Sequence, residues 1–255
     1  MHILVTNDDG VQAPGLLALA QAMRLLGSVT VFAPDHNWTA SGHVKTMERP
    51  LRVHEEILAD GSPALSTDGA PSDSVALALL GVVKEKIDLV VSGINPHENI
   101  GHDITYSGTV TAAMEAVIGG VPGLAVSLHT PEDFHGKLDY STAAQVGRRV
   151  AARVLANGLP EGVFLNINVP YLEEDELKGF MITRQGLRVY RDALDARTDP
   201  RGKPYYWIGG EFPIGVLEEG TDYGAIKAGY VSITPMQLDL TARQAMEEMK
   251  TWEWK

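Results

Sequence analysis

The sequence predicts an α/β fold, a doubly wound and mostly parallel sheet with helices on both faces in the Rossmann-like manner. Three observations predict it. Short apolar runs without polar alternation, such as Ile3-Leu4-Val5, read as strands buried on both faces. Segments of helical spacing follow them in regular turn. Polar and glycine-rich clusters close the runs, where ligands of such sheets bind. After the first strand, Pro14 suits the first turn of a helix that carries Leu16, Leu17, Leu19, Ala20, Met23 and Leu26, with Gly27 as its stop. Val29 to Ala33 is the second strand, broken by Pro34, and a helix is expected over Ser72 to Val83. Ile87 to Val91 is the third strand. A helix from Thr109 through Met114 to Ile118 ends at Gly119-Gly120, and Gly123 to Leu128 is the next strand. Tyr140 to Leu155 is the longest helical pattern and Val163 to Val169 the strand after it.

From about Tyr171 the rhythm changes to Pro, Gly and aromatic residues, among them Pro200, Gly202, Tyr205, Tyr206 and Trp207. Tyr230 to Thr234 is a further strand, and Thr241 to Lys255 a charged helix or tail. We read residues 1–255 as a single domain: 1–170 is the sheet core carrying the site, and 171–255 is a β-rich C-terminal extension whose exposed aromatics serve oligomerisation.

Composition narrows the function. Lys and Arg total 21 against 33 Asp and Glu, a formal charge of −12, which argues against a partner held as a nucleic-acid duplex. There is no cysteine, so thiolate chemistry and cysteine zinc sites are excluded. No window is apolar enough for a membrane span and the first residues lack a signal-peptide pattern, so the expected location is cytoplasmic, with no membrane partner.

The polar clusters at the strand ends converge on one chemistry. Asn7-Asp8-Asp9-Gly10 places two adjacent carboxylates where their repulsion favours a bound cation. The loop after the second strand brings the hydroxyls of Thr39 and Ser41, and the third strand leads to Asn95, an amide-oxygen ligand or a turn cap. Ser107-Gly108-Thr109 opens a helix, as an anion seat or an ordinary N-cap. An all-oxygen set suits Mg²⁺ or Mn²⁺ rather than zinc, and beside a helix N-terminus it reads as metal-assisted hydrolysis of a phosphate ester. A phosphoacceptor receiver domain would need an Asp where Asn95 stands and a Lys that Val126-Ser127-Leu128-His129 does not supply. A dehydrogenase would need G-x-G-x-x-G, where the chain has only Gly10 and Gly15. A nucleotide sensor without catalysis would use the same groups.

Asn7-Asp8-Asp9-Gly10, Ala33-Pro34-Asp35, Ser92-Gly93-Ile94-Asn95 and Tyr106-Ser107-Gly108-Thr109 together resemble the SurE family, the survival protein E nucleotidases. Asn166-Ile167-Asn168-Val169-Pro170, Asp199-Pro200-Arg201-Gly202, Gly220-Thr221-Asp222 and Gly229 to Pro235 extend the likeness over nearly the whole chain. The resemblance implies a divalent-metal-dependent phosphatase of nucleoside 5′- and 3′-monophosphates, with one Mg²⁺ or Mn²⁺ per subunit and Ca²⁺ as a substitute occupant. It implies Asp8, Asp9, Asn95 and Thr39 as metal ligands, Asp8 and Asp9 as the catalytic pair, and Asn99, Ser107, Gly108 and Thr109 around the phosphate. It also implies a homodimer or homotetramer that exchanges C-terminal segments. The nucleophile is an activated water assisted by Asp8 or Asp9, or an aspartate itself.

The chain departs from the family pattern at three places. Thr39 stands where the family has Ser, with Ser41 as the alternative ligand. His97 replaces a Gly beside the site. Gly69-Ala70-Pro71-Ser72-Asp73-Ser74 loses a hydroxyl and a thiol, and its Asp73 is expected to serve the first turn of a helix. His43 and His102 lie in the same loops and, with Ser41 and His97, are candidates to support the ligands.

Overall fold

A computed structural model describes residues 1–131 and 133–254. Its centre is a nine-stranded sheet in the order β3-β4-β2-β1-β5-β6-β7-β11-β8. The strands named from the sequence are there: β1 (His2–Thr6), β2 (Ser28–Pro34), β5 (Leu89–Asn95), β6 (Gly123–His129) and β7 (Val163–Pro170). These five run parallel to their neighbours among themselves. Burial on both faces accounts for their unbroken apolar runs. Ile3 and Val5 point to the core under α1 (Pro14–Met23) and α4 (Ser141–Asn157), while Leu4 points to the core under α2 (Pro71–Leu77) and α3 (Gly108–Ile118). Leu89 and Val91 against Val90 repeat the division in β5. The chain leaves β1 toward β2 and β4 on one side and passes from β5 toward β6 and β7 on the other, so winding reverses between β1 and β5. A crevice opens there beyond the carboxyl ends of the strands.

The structure corrects the sequence reading in several places. β5 begins at Leu89 rather than Ile87 and runs on to Asn95, which makes Asn95 the last residue of a central strand. The helix expected over Ser72 to Val83 ends as α2 at Leu77. A wider turn over Ala78–Val82 follows, in which Gly81 adopts φ 114°. Asp73 serves the first turn as expected, accepting from the Ala70 N–H at 2.9 Å, and it also takes the N–H and hydroxyl of Thr46. The antiparallel pair β3 (Val53–Ile57) and β4 (Pro63–Thr67) was not read from the sequence, because β3 is a largely exposed edge strand rich in charge.

After Pro170 the chain adds β8 (Phe180–Ile182) and β11 (Val231–Gln237) to the sheet, with β11 antiparallel to β7. Between them β9 (Arg188–Thr198) and β10 (Pro204–Gly215) form a separate two-stranded sheet on which Leu194, Trp207 and Ile208 are exposed. α5 (Asp222–Lys227) precedes β11, and the expected terminal helix is α6 (Arg243–Met249), with no buried residue. Among the described residues no helix is long and apolar enough to cross a membrane.

Candidate active site

Asp8 and Asp9 follow β1 directly into the crevice. Asp8 is 3% exposed, and its carboxylate lies against the N-terminus of α3. The Thr109 hydroxyl donates to Asp8 Oδ1 at 2.5 Å. Gly108 is required by this contact, since a Cβ there would fall 2.6 Å from Asp8 Cβ and 2.9 Å from Oδ2. Burial pushes the Asp8 carboxyl up from its ordinary value, while the Thr109 hydroxyl and the backbone of Thr109 and Gly108 pull it back. The free N–H groups of the helix end therefore face a carboxylate of the chain itself. The segment expected to seat a phosphate, Ser107 to Thr109, thus also seats Asp8, and the Thr109 proton is committed to that carboxylate. Ser107 is the N-cap, accepting from the Val110 N–H at 3.1 Å, which leaves its own hydroxyl proton to donate elsewhere.

Asp9 has no comparable support. Its nearest donor is Asn37 Nδ2 at 3.5 Å, and burial, then the neighbouring Asp8, push its carboxyl up to about 7. Neither carboxylate forms an ion pair with a Lys, Arg or His among the described residues. Tyr140, at the start of α4, shares a cavity of about 380 Å³ with Asp9. Burial and the Asp9 charge push the phenol up to about 12. Tyr140 is remote from Asp9 along the chain, so no local pattern marks the two as neighbours.

Asn95 spends its Nδ2 on the carbonyl of His97 at 2.6 Å. The turn-cap reading is therefore correct, and the side-chain oxygen remains an acceptor for a hard cation. Across the crevice the Trp38 N–H donates to the Asp8 carbonyl at 2.7 Å, so Thr39 follows the residue bonded to Asp8. Thr39 is exposed, and its N–H is capped by Asn37 Oδ1 at 2.7 Å. Ser41 closes the turn through its N–H to the Trp38 carbonyl at 3.1 Å, and its hydroxyl lies 3.5 Å from the Gly42 carbonyl. Among the described residues no three His, Asp or Glu side chains form a metal cluster. The candidate set is instead two carboxylates with amide and hydroxyl oxygens, the donors that Mg²⁺ and Mn²⁺ prefer.

The remaining predicted residues have other partners. Asn99 is buried, its N–H donating to Asn168 Oδ1 at 2.8 Å and its Nδ2 to Ser127 Oγ at 2.7 Å. Its carbonyl accepts from Asn166 and Asn168. It ties the loop after β5 to β6 and β7. Asn166 and Asn168 alternating with Leu165 and Ile167 were the signal for a polar strip on one face of β7. His43 faces Glu115 on α3 at 3.0 Å, beside Lys45 at 3.0 Å, and so pins its loop to the helix rather than supporting the acid pair. The hydrogen bond from His43, followed by those of Lys45, outweighs burial and holds the Glu115 carboxyl below its ordinary range. His102 and His97 are exposed. Beside His97, Glu98 bonds to His129 at 2.9 Å and to Arg188 at 3.2 Å, and Arg188 reaches Asp103 at 2.5 Å. Nothing in the sequence spacing pointed to this network, which joins the site loop to the base of β9.

The sequence profile described as "Survival protein SurE" matches residues 3–192. The chain belongs to the SurE family. Proteins of the family named "5'-nucleotidase SurE" include one from Chloroflexus aggregans, 52% identical over 100% of both chains, and one from Herpetosiphon aurantiacus, 50% identical over 100% of this chain and 99% of that one. The crystal structure of the SurE protein from Aquifex aeolicus superposes with a TM-score of 0.81 at 41% identity, covering 98% of each chain.

Proposed function

We propose that this chain is a divalent-metal-dependent phosphatase that hydrolyses nucleoside 5′- and 3′-monophosphates to nucleoside and phosphate. The observation that carries the reading is the pair of a buried Asp8 and a half-buried Asp9. It lies in the crevice where the sheet reverses its winding, one carboxylate against a helix N-terminus and, among the described residues, neither ion-paired with a cationic side chain. The names of the SurE relatives support nucleotides as substrates.

Asp8, Asp9, Asn95 and the Thr39 hydroxyl would hold the metal, which supplies Lewis-acid polarisation of the phosphoryl oxygen and activation of water. The chain's own residues do the rest. Thr109 and the N-terminus of α3 fix the Asp8 carboxylate. The Ser107 hydroxyl, whose acceptor side is used by the helix cap, donates to a phosphoryl oxygen. Asp9, whose carboxylate has only the distant Asn37 amide as a donor, takes the proton of the attacking water. The same reading gives a cytoplasmic enzyme, a single domain with the site on residues 1–170, and a homodimer or homotetramer assembled through 171–255. The exposed Leu194, Trp207 and Ile208 support the last of these.

Phosphate release from 5′- and 3′-nucleoside monophosphates, with Mg²⁺, Mn²⁺ or EDTA, tests the reading. Metal-dependent release lost in Asp8→Asn, with the circular dichroism spectrum retained, is the expected result. No release with either metal, together with retained nucleotide binding, would make the chain a sensor.

A further inference from the structure

A second cavity, of about 750 Å³, begins at His97, two residues beyond Asn95 at the end of β5. It is within the range that holds a small organic ligand, roughly 300–1,000 Å³. Two short stretches of chain connect it to the acid pair. Asn95 is bonded to the His97 carbonyl at 2.6 Å, and His97 lines the cavity. Asp103, also in the lining, accepts from the N–H of Ser107 at 3.1 Å, and Ser107 opens α3 against Asp8. Residues bonded to Asn95 and to Ser107 therefore border this cavity.

The lining suits a flat ring with polar edges. His129 and Tyr223 meet edge to face with centroids 6.4 Å apart, and Phe134 and Ile214 add apolar surface. The rings are held before any ligand arrives. His129 is fixed by Glu98 at 2.9 Å, and the Tyr223 ring lies against the backbone of Gly215, where a Cβ would come within 2.3 Å of it. Lys227 Nζ stands 5.8 Å from the centre of the Tyr223 ring, is exposed, and forms no ion pair among the described residues. The smaller cavity beside Asp9 offers the carboxylates of Asp9 and Asp35 and no cation in its lining.

We infer that the larger cavity receives the nucleoside of the substrate, with His97 and Lys227 as the residues that select for the base. This rests on the phosphatase reading above and adds where the rest of the substrate lies. His97 and Lys227 are exposed and outside the catalytic set, so their alanine variants keep the fold. Ile214→Trp, at a half-exposed position, fills the cavity from its rim.

The test compares a nucleoside 5′-monophosphate with ribose 5-phosphate, which has the same phosphate ester and no base. Each variant is expected to raise KM for the nucleotide by about 10-fold, the loss that follows when one binding contact is removed. KM and kcat for ribose 5-phosphate stay within about twofold of wild type. Equal changes for both substrates, or no change for either, would overturn the assignment. Wild-type protein that hydrolyses neither ester refutes the phosphatase reading instead. Calorimetric titration of 5′-AMP then decides the cavity by itself: weaker binding to Ile214→Trp than to wild type supports it, and equal binding overturns it.

Discussion

The acid pair predicts an uncommon pH dependence of stability in metal-free protein. The Asp9 carboxyl stands near 7 in the folded chain against an ordinary 3.8. Between those values the folded state keeps a proton that the unfolded chain has lost, so stability is greatest below pH 4 for this group and falls as pH rises toward 7. About three pH units at about 1.4 kcal/mol each set a ceiling near 4 kcal/mol, and partial solvation of Asp9 reduces this to about 2–3 kcal/mol. For a chain of this size that corresponds to a fall in Tm of about 5–10 °C. Glu98 and Glu115 are held below their ordinary 4.5, so their opposite effect is spent once the pH has risen past that ordinary value. Thermal melts in EDTA at pH 5, 6, 7 and 8 measure the fall; Asp8, also raised by burial, acts in the same direction, and Asp9→Asn removes the share that belongs to Asp9. Mn²⁺ at millimolar concentration is expected to abolish most of it by stabilising the ionised pair. A wild-type Tm in EDTA that stays level or rises from pH 5 to 8, or a fall of equal size in Asp9→Asn, would refute the reasoning.

Other substitutions separate the roles around the pair. Gly108→Ala puts a Cβ 2.6 Å from that of Asp8; initial-rate assays should show a loss of about 100-fold, with a cost in stability of about 1–3 kcal/mol by denaturant melts. Thr109→Val removes the donor at 2.5 Å from a buried carboxylate, and its pH–rate profile should move to higher pH along with a loss of about 1–3 kcal/mol in stability. Asn99→Ala is expected to lower stability by about 1–3 kcal/mol while leaving KM for substrate near wild type, because the bonds it breaks run to Ser127 and β7. A large rise in KM in that variant would return Asn99 to the phosphate.

The strands of the central sheet were legible because burial on both faces erases polar alternation, and His2 to Thr6 or Gly123 to His129 can hardly be anything else. β3 was not, since Val53-His54-Glu55-Glu56-Ile57 lies on an edge and needs no apolar pattern. The residues at strand ends were legible as a class: topology alone brings Asp8, Asn95 and the start of α3 to one crevice. What each side chain does there was not, because it depends on contacts remote in sequence. Asn99 offers the same amide whether it meets a phosphate or Ser127. His43 reads as a site histidine until Glu115, far along the chain, is found 3.0 Å away. Tyr140 and Arg188 had no local signal at all.

Those remote contacts also divide the labour between two residues that the sequence presents as equivalent. Asp8 and Asp9 are adjacent, the first buried and the second half-buried, and both are raised by desolvation. The helix end acts on Asp8 alone, through the Thr109 hydroxyl and the backbone of Gly108 and Thr109, so its carboxylate is fixed in place and partly compensated. Asp9 receives only a distant amide and the repulsion of its neighbour, and its lining partner Tyr140 has its phenol raised in turn by the Asp9 charge. A ligand must hold its geometry through the reaction, and a base must change its charge during it. The first requirement matches the anchored Asp8 and the second the exchangeable Asp9. Asp8→Asn should therefore weaken metal binding more than Asp9→Asn does, whereas at saturating Mn²⁺ Asp9→Asn should show the larger fall in kcat; the opposite assignment would show itself as the reverse pair of effects.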